Sequence, residues 1–453
     1  MAVSDYAFTK PPITKVYNYT EKYAKENRKK RRVVANLLMG EWVKKIKQYD
    51  DYHYVRFRGG NGVIKSDLLS EKRLLELYFI DVGQGDSILV QTPKDRRILI
   101  DGGRDNESHS FLQWKYNLAK KDNKIDFDAL IMTHADEDHA KGLNFVLNDP
   151  KITVKTVYHN GIPRFKGKDQ LGKISGTGDN RTLEAYDDVT KIKQEELSPD
   201  YKRLVNSILK AKKKYRRLKV KRLDQFSKKL SEFNADKLTI KVLGPINRGT
   251  KKNPKLKAIG GKSVIINGNS VALMLEYGKC KILLCGDMNT PYEKEFLKIY
   301  SGSQLQAHVF KANHHGSQDF TEDFLNAVQP WATVISSGDE PDYGHPRAVL
   351  LGSLGRYAPS KIKRPLTFST EIVRTFKEIK AKQLKAMNAQ GESLYEKTIK
   401  GIIHVRTNGS KLVMGRIFGA SKLADPENHN GYQWEYYLFD LNEKTIKVGN
   451  PVK

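Results

Sequence analysis

Apolar runs that end at histidines or aspartates constrain the fold of this chain more than any other feature. The clearest run, residues 129–132, has the length and composition of a buried strand and is followed at once by Thr133-His134-Ala135-Asp136-Glu137-Asp138-His139. Similar runs precede Asp287 and the pair His314-His315. Strands that end in this way bring imidazoles and carboxylates to one edge of a sheet, where layered α/β folds have their binding sites. We therefore expect an α/β fold with a metal site at that edge.

Composition limits the class of protein. A chain of 453 residues with 39% apolar residues has room for two or three globular domains. No run approaches the roughly 18 apolar residues of a membrane span, and the N-terminus lacks the apolar core of a signal peptide. Cys280 and Cys285 belong to one predicted strand and face opposite sides of it, so they cannot form a disulfide. Free thiols and no transmembrane segment predict a cytoplasmic protein.

Positive charge is concentrated in one segment. The formal net charge is +28, and residues 202–229 hold thirteen lysines and arginines against one acid, Asp224. Apolar residues recur there at three- and four-residue steps, which predicts an amphipathic helix with a basic outer face. Such a face is simply solvated, or it binds the phosphates of a nucleic acid, or it binds acidic lipid. We favour nucleic acid, with substrate contacts expected from Lys212, Lys213, Lys214, Arg216 and Arg217.

Residues 13–70 are predicted to form a small all-β unit. Strands are expected at residues 33–37, 41–46 and 53–58, with a turn at Gly59-Gly60. The unit resembles bacterial Src-homology-three-like domains, which are small β barrels, through residues 37–46, 54–59 and 62–68. The resemblance implies that the unit binds a peptide of a protein partner or packs against its own catalytic domain. None of its residues resembles a catalytic group.

Six short blocks follow one another between residues 75 and 355. They are Asp81-Val82-Gly83-Gln84-Gly85-Asp86, His134-Ala135-Asp136-Glu137-Asp138-His139, Asn269-Ser270, Gly286-Asp287, His314-His315-Gly316-Ser317 and Tyr343-Gly344-His345-Pro346. Their order and spacing resemble the metallo-β-lactamase-fold hydrolases and, within them, the soluble domain of the ComEC family of DNA-uptake proteins. The resemblance implies an αββα sandwich over residues 75–355, with metals at the mouth between its two sheets. The basic segment would be a helical insertion at about 200–235.

The resemblance also implies a set of metal ligands. Position by position, they are His134 and Asp136 for one ion, Asp138, His139 and His345 for a second, and Asp287 as the bridge. A further histidine of the superfamily, expected near Ser270, is missing, and Asn267, Asn269 or His314 is its nearest substitute. Because Asp136 stands where most of the superfamily has histidine, the set is rich in oxygen and manganese competes with zinc. We expect two divalent ions, zinc or manganese.

The residue types in these blocks suit phosphodiester hydrolysis. A pair of adjacent ions lowers the pKa of a shared water and clamps a phosphodiester for in-line attack by hydroxide. Asp138 could orient that hydroxide as well as bind metal. The leaving oxygen needs a proton, and His314 or His315 is the candidate donor.

Polar residues near the blocks are expected to support this chemistry. Lys311 and the hydroxyl of Ser317 could hold phosphate oxygens. Asp101, Asp81 and Asp86 are expected to brace the ligand loops from behind, as carboxylates around metal sites do.

These features predict a metal-dependent phosphodiesterase, foremost a nuclease that cuts DNA, and phage defence is a setting that would suit it. The first alternative is the same chemistry on a small phosphodiester, such as a nucleotide or a phospholipid headgroup. The second is a non-catalytic nucleic-acid-binding or adaptor protein with structural metals. Residues 356–453 are predicted to be an appendage, with a helix at 374–387 followed by β-rich sequence.

Overall fold

The computed structural model of the chain describes residues 5–18, 32–57, 60–167, 170–338, 343–370, 401–418 and 433–449. The helix predicted at residues 374–387 lies outside these ranges. Among the described residues, no helix is both long and apolar enough to cross a lipid bilayer.

Antiparallel strands form the N-terminal unit. They are β1 (Tyr6–Thr9), β2 (Ile13–Tyr17), β3 (Val33–Leu38), β4 (Trp42–Tyr49), β5 (Tyr52–Phe57), β6 (Gly60–Lys65) and β7 (Leu69–Ser70). They form one sheet with the order β3-β2-β6-β5-β4-β1-β7. Alternate residues such as Val16, Val55 and Ile64 point into a core of this unit's own. The predicted β structure is confirmed, but the sheet begins at Tyr6 rather than at residue 13, because β1 pairs with both β4 and β7.

Two larger sheets form the rest of the molecule. The remaining strands are β8 (Leu75–Phe79), β9 (Ile88–Gln91), β10 (Arg97–Ile100), β11 (Ile125–Phe127), β12 (Ala129–Ile131), β13 (Ile152–Val154), β14 (Thr156–His159), β15 (Ile174–Ser175), β16 (Thr182–Glu184), β17 (Lys219–Arg222), β18 (Leu238–Gly244), β19 (Lys255–Lys257), β20 (Ala272–Tyr277), β21 (Cys280–Leu284), β22 (Val309–Lys311), β23 (Ala332–Ile335), β24 (Leu366–Ser369), β25 (Ile403–Thr407), β26 (Lys411–Phe418), β27 (Gln433–Asp440) and β28 (Thr445–Val448). The first large sheet has the order β17-β14-β12-β10-β9-β8-β25-β26-β27-β28, and the second has the order β18-β20-β21-β22-β23-β24. Two small sheets, β11-β13 and β15-β16-β19, lie outside them.

Helices cover the outer faces of both large sheets. The α-helices are α1 (Glu107–Lys115), α2 (Glu137–Ala140), α3 (Leu143–Asn148), α4 (Pro199–Lys214), α5 (Lys262–Gly268), α6 (Thr290–Leu297), α7 (Gly302–Leu305), α8 (Glu322–Val328) and α9 (Ala348–Arg356). Short 3-10 helices lie at Ser66–Leu68, Gly178–Asn180, Val189–Lys191, Gln225–Ser227, Ser231–Asp236 and Asn313–Gly316.

Three apolar cores define the layers. The core between the large sheets joins residues such as Val90 and Ile131 of the first sheet to Leu273 and Val334 of the second. A second core lies under α1, α3 and α4 on the outer face of the first sheet, and a third lies under α6, α8 and α9 on the outer face of the second. The predicted αββα sandwich is therefore confirmed.

The C-terminal strands belong to the sandwich and do not form a separate appendage. β24 extends the second sheet beside β23, and β25 pairs along its whole length with β8 in the first sheet. β26, β27 and β28 then continue the first sheet outward. The predicted β-rich C-terminus is confirmed, but the division expected at residue 355 is corrected, because both sheets are completed by strands that follow it.

The basic segment is not one long helix. α4 ends at Lys214, and Tyr215 leaves it with an extended backbone (φ −125°, ψ 91°). The chain then forms β17 at the edge of the first sheet, in parallel register with β14. The helix predicted through residue 229 is therefore wrong over its second half. The three- and four-residue spacing of apolar side chains continues past Lys214. There, however, the chain forms a strand, because it pairs with β14, which is distant in sequence.

Candidate metal centre

The carboxyl ends of parallel strands bring the predicted ligands together. β10 ends just before Asp101 and β12 just before the loop that contains His134, and these two strands are parallel neighbours. In the facing sheet, β21, β22 and β23 are also parallel. Asp287 follows the first of these three strands, and the loop that contains His315 follows the second. The carboxyl ends of strands from both sheets thus meet at one mouth of the sandwich.

Asp138, His139, Asp287 and His315 form the tightest group of side chains. Nε2 of His139 lies 3.2 Å from Oδ2 of Asp287 and 3.2 Å from Nε2 of His315. Nε2 of His315 lies 2.9 Å from Oδ2 of Asp287 and 3.2 Å from Oδ2 of Asp138. One possible ligand atom from each residue lies within 4.8 Å of the other three. We call these residues the four-residue cluster, and its geometry is able to hold a metal ion.

Hydrogen bonds behind the two imidazoles decide which nitrogen faces the cluster. Nδ1 of His139 lies 2.8 Å from Oδ2 of Asp101, and Nδ1 of His315 lies 2.9 Å from the carbonyl oxygen of Ser336. Both partners accept hydrogen bonds, so each neutral ring keeps its hydrogen on Nδ1 and directs the lone pair of Nε2 inward. Two such lone pairs and two carboxylates repel one another unless a cation lies between them. The cluster therefore fits a divalent ion with nitrogen and oxygen ligands.

The pKa values show the same electrostatic preference. Burial disfavours charge on these groups, yet the carboxylates of Asp287 and Asp138 raise the pKa of His315 to about 9. The same carboxylates, with Asp101, hold the pKa of His139 well above its usual value against the effect of burial. The two imidazoles in turn hold the pKa of the buried Asp287 carboxyl well below its usual range. The cluster is thus a region of negative potential that favours protons or a divalent cation.

His134 and Asp136 lie next to the cluster and could hold a second ion. The ring centroid of His134 is 4.0 Å from that of His139. Nε2 of His134 is buried without a hydrogen-bond partner among the described residues, and it lies 3.8 Å from Oδ2 of Asp136. A buried polar atom without a partner is costly, so its presence favours a bound ligand. Burial also raises the pKa of Asp136 to about 6.

His345 lies beside the four-residue cluster rather than within it. Its ring centroid is 6.5 Å from that of His315, and its Nδ1 lies 3.4 Å from Nε2 of Gln84. His315 thus takes the place in the cluster that the sequence analysis gave to His345. His315 was also a candidate proton donor, and its position within the cluster makes it a candidate ligand as well.

His314 lies beside the four-residue cluster and contacts Asn267. Its Nε2 lies 3.3 Å from Nδ2 of Asn267, and its buried Nδ1 has no hydrogen-bond partner among the described residues. Burial lowers the pKa of His314, so the ring is neutral near pH 7. Of the two asparagines predicted near the missing histidine, Asn267 therefore faces this region. Asn269 does not, because its amide donates to the carbonyl oxygens of Lys257 and Ile265.

Lys311 is not free to hold a substrate phosphate, contrary to the prediction. Its ammonium is buried 2.5 Å from Oδ2 of Asp86 and 3.4 Å from Oδ1 of Asp287, and it donates to the carbonyl oxygen of Gly286 at 3.0 Å. The lysine offsets the repulsion between carboxylates and is part of the internal scaffold. The hydroxyl of Ser317 accepts a hydrogen bond from the amide of Asp319 at 3.1 Å, so it braces its own loop.

The three carboxylates expected to brace the ligand loops are all buried, but each contacts a different group. Asp101 is fully buried and accepts hydrogen bonds from the amide and the hydroxyl of Thr133 at 2.7 and 2.6 Å. Asp86 is paired with the ammonium described above. Asp81 lies further from the cluster and accepts from the amide of Gly83 at 3.1 Å, so it shapes the loop itself. That loop reaches the ligands because Gly85 has φ +139° and a Cβ there would lie 2.3 Å from the carbonyl oxygen of Asp138.

The five basic residues expected to contact substrate lie far from the cluster. The N-terminal end of α4 is near the metal loop, since the amide of Ser198 donates to the carbonyl oxygen of Arg164, whose guanidinium lies 3.6 Å from Oδ1 of Asp136. α4 has 16 residues, so its other end is about 24 Å away. The residues at or beyond that end are Lys212, Lys213, Lys214, Arg216 and Arg217. They cannot reach a phosphate held at the cluster, and only contact with a longer nucleic acid stays a prediction for them.

The residues that hold the histidine loop belong to no motif in the sequence. Glu293, on α6, accepts hydrogen bonds from Nδ2 of Asn313 at 2.8 Å and from the hydroxyl of Thr321 at 2.9 Å. Burial raises the pKa of Glu293 to about 7. His314 and His315 both have left-handed backbone conformations, with φ of 47° and 53°, which persist only with such support. Glu293 lies outside all six blocks, so the sequence contained no signal for this role.

Comparison with known proteins identifies the domain that contains this site. The family model of the metallo-beta-lactamase superfamily matches residues 80–205, which include His134, Asp136, Asp138 and His139. The chain contains a metallo-β-lactamase domain. The two large sheets, with helices on both outer faces, give this domain the expected hydrolase architecture.

Relatives of the metallo-β-lactamase domain occur among competence proteins. ComE operon protein 3 from Bacillus subtilis (strain 168) is 28% identical over 298 residues, which are 62% of this chain and 31% of that protein. Competence protein ComA from Neisseria gonorrhoeae is 37% identical over 86 residues, which are 19% of this chain and 12% of that protein. The chain therefore spans less than a third of the length of these curated relatives. Among solved structures, Zn(2+)-bound PqqB from Methylobacterium extorquens matches with a TM-score of 0.33 at 9% identity, covering 63% of this chain and 84% of that chain.

Proposed function

We propose that this protein is a metal-dependent phosphodiesterase that cuts nucleic acid, with DNA favoured over RNA. The observation that supports the proposal most directly is the four-residue cluster, with His134 and Asp136 beside it. The arrangement offers ligands for two neighbouring ions, zinc or manganese, and Asp287 is the residue that we expect to contact both. DNA is favoured because the sequence blocks resemble those of a DNA-uptake family.

The ligand residues of the chain would hold and orient the reacting groups. When bound, a pair of divalent ions in such a site acts as a Lewis acid towards the phosphodiester and lowers the pKa of water. Asp138 lies at the more exposed side of the cluster, with a side chain 26% accessible, where it can orient an attacking water. The deeply buried Asp101 and the carbonyl oxygen of Ser336 keep both imidazoles aimed at the ions throughout.

His314 is the candidate for proton transfer to the leaving oxygen. Its ring is largely buried and neutral, and Nδ1 is not engaged by any described residue. A phosphodiester bound beside the ring would add negative charge and raise its pKa, so substrate binding would promote protonation of this histidine. Proton donation would then be coupled to the presence of substrate.

The net charge of +28 favours a polymeric substrate over a small one. Clusters of exposed lysines and arginines accelerate and strengthen the binding of polyanions, whereas a nucleotide or a phospholipid headgroup requires contacts to only one or two phosphates. The small-phosphodiester alternative is therefore retained as an outcome of the test below and is not proposed. The Src-homology-three-like character of the N-terminal unit, and a protein partner for it, stay predictions.

The proposal is tested by incubating the purified full chain with linear, circular and single-stranded DNA and with RNA, in manganese and in zinc. Bound metal is measured on the same samples, for the wild type and for Asp287→Ala. We expect cleavage and bound metal for the wild type, and loss of both for the variant. Asp179→Asn is the matched control, because Asp179 is an exposed carboxylate far along the chain from the ligand blocks.

Two outcomes would contradict the proposal. Equal metal content and equal cleavage in the wild type and in Asp287→Ala would remove the cluster as the reaction centre. Hydrolysis of a nitrophenyl phosphodiester without any cleavage of DNA or RNA would instead support the small-substrate alternative.

A further inference from the structure

A groove runs along the outer surface on both sides of α3, from the side facing α1 to the side facing α4. Two neighbouring cavities of about 640 and 590 Å³ form it, and they share Asn148 and Arg203 in their walls. Ser207 lies at its base, where its hydroxyl bridges the side chains of Asn144 and Asn148 at 2.7 and 2.9 Å. We call this surface the α3–α4 groove. It lies outside the four-residue cluster and its neighbouring ligands.

The walls of the groove are strongly basic. The cationic residues in them are Lys141, Lys151, Lys202, Arg203, Lys210 and Lys213. The acidic residue in the walls, Asp149, is already engaged, since its carboxylate lies 2.7 Å from Nε2 of His109 and accepts from the amide of Lys151 at 2.7 Å. Asp200, near the groove, is paired with Arg203, but both side chains are largely exposed and such pairs are weak. The groove therefore matches a polyanion in charge.

The cations on α4 form one face of that helix. Arg203, Lys210 and Lys213 are exposed and recur at near-helical spacing, whereas Leu204 and Ile208 are buried against the sandwich. At 1.5 Å per residue, the face from residue 203 to residue 213 extends about 15 Å. An extended chain of phosphates could follow it for more than one nucleotide.

An exposed aromatic side chain lies in the same groove. Phe145 is 42% exposed, and its ring is stacked against His109 with centroids 6.4 Å apart and planes inclined by 23°. The exposed ring offers an apolar face beside the cations of the groove. Aromatic rings next to lysines and arginines are typical of surfaces that stack the unpaired bases of single-stranded nucleic acid.

One end of the groove adjoins the metal loop. Lys141, in its wall, is separated from His139 by a single residue, and α3 begins directly after Gly142. A strand that lies in the groove would thus lead towards the cluster.

We propose that the α3–α4 groove binds a single strand of nucleic acid and guides it to the metal centre. In this arrangement Phe145 stacks on a base and the basic face of α4 contacts phosphates. This inference rests on the proposed function and adds to it the form of the substrate and its path. Of the five basic residues expected from sequence to contact substrate, only Lys213 lines this groove.

Binding of a fluorescently labelled single-stranded oligodeoxynucleotide in EDTA tests the groove without cleavage, by anisotropy over a series of salt concentrations. The combined variant Arg203→Gln, Lys210→Gln, Lys213→Gln should bind roughly tenfold or more weakly at low salt. Its log affinity should also fall less steeply with log salt, by about 2 for three lost phosphate contacts on a single strand. Phe145→Ala should weaken binding roughly 5- to 100-fold, the range for one stacked base.

The matched control removes the same charge elsewhere. Lys94→Gln, Lys219→Gln, Lys221→Gln alters three exposed lysines around a different cavity, at the sheet edge opposite the metal centre. An equal loss of affinity in the control would show that binding depends on total charge and would overturn the groove. Unchanged affinity in Phe145→Ala would overturn the stacking role and with it the preference for single strands. Thermal melting confirms that every variant is folded.

The test separates the groove from the proposed function. Groove-dependent binding by a protein that never cuts nucleic acid would support the groove and contradict the proposed function. Cleavage of DNA by a protein whose groove variants bind normally would support the proposed function and contradict the groove.

Discussion

At the scale of single residues, the candidate metal centre contains residues whose backbone conformations are unfavourable on their own. Asp101, His314 and His315 all have positive φ values of 56°, 47° and 53°, although none of them is glycine. Each such residue costs about 1–3 kcal/mol and persists because surrounding contacts fix it. Asp101 shows how, since its carboxylate receives hydrogen bonds from Thr133 and from His139. Such preorganisation is expected where ligand positions must not vary.

Replacing each of the two adjacent histidines should affect metal binding and turnover differently. We expect His315→Ala to lose bound metal, because it removes one of the four cluster ligands and leaves two carboxylates facing each other. His314→Ala should keep its metal and lose roughly 10²–10⁴-fold in turnover, as expected for a proton donor. Metal analysis together with cleavage rates on both variants checks this.

His345→Ala completes that experiment. Its imidazole lies outside the four-residue cluster, so we expect the variant to retain the metal held by the cluster. Loss of a full equivalent of metal in His345→Ala, with normal content in His315→Ala, would return His345 to the ligand set and contradict our assignment.

At the scale of secondary-structure elements, the end of α4 is fixed by a side chain that would be expected to face solvent. The ammonium of Lys214 donates to the carbonyl oxygens of Asp149, Pro150 and Ile152 at 3.1, 2.7 and 2.8 Å. These carbonyls lie where α3 leads into β13. Lys214 therefore connects the last turn of α4 to the segment between α3 and β13. The chain continues from there into β17.

Replacement of Lys214 should lower the stability of the protein, although the sequence pattern predicts an ordinary surface lysine at this position. We expect Lys214→Ala to lower the free energy of unfolding by about 1–2 kcal/mol, because three carbonyl oxygens lose a charged donor. Lys213→Ala, one position earlier and exposed, should change it by less than about 0.5 kcal/mol. Urea unfolding of the two variants measures the difference. Equal stability in both would show that water replaces the ammonium without cost.

At the scale of the whole molecule, the N-terminal sheet is docked onto the sandwich by buried polar contacts. Arg406, on β25, is 1% exposed and donates to the carbonyl oxygen of Met39 at 2.9 Å and to the carboxylate of Glu41 at 2.8 Å. The indole of Trp434, on β27, donates to the carbonyl oxygen of Asn36 at 3.1 Å. These contacts show that the N-terminal sheet packs against the sandwich of the same chain.

Breaking this interface should destabilise the protein strongly. We expect Arg406→Ala to cost about 1–3 kcal/mol, the range for leaving a buried polar group without its partner, because the carbonyl of Met39 and the carboxylate of Glu41 lose their donor. Arg416→Ala is the matched control, since Arg416 pairs with Glu435 in the same sheet with side chains 32% and 35% accessible. Such half-exposed pairs contribute about 0–1 kcal/mol.

Unfolding curves and limited proteolysis would measure the effect. We expect cleavage between the two units to accelerate in Arg406→Ala and to stay unchanged in Arg416→Ala. Similar unfolding midpoints for the two variants would mean that the N-terminal sheet is held by its apolar contacts alone.

Local sequence patterns are sufficient to predict where strands end and which polar groups follow them. One local pattern consists of residues 129–132 and the histidines and aspartates that follow them. A buried apolar strand ends where the chain reaches such polar residues at the surface of the core. The αββα layers, the approach of His139 to Asp287 and the support from Asp101 follow from such strand ends meeting at one edge.

Which of these groups contact one another depends on how distant parts of the chain pack together. His315 rather than His345 lies in the cluster because of where the loop after β22 places it, and the carbonyl oxygen of Ser336 orients its ring. The role of Lys311 depends on two carboxylates from distant blocks. In the same way, β25 completes the first sheet through β8, and residues after Lys214 leave a helical pattern to pair with β14. Hydrogen-bond ladders and buried charge pairs gain their free energy from partners far away in sequence, which no local periodicity encodes.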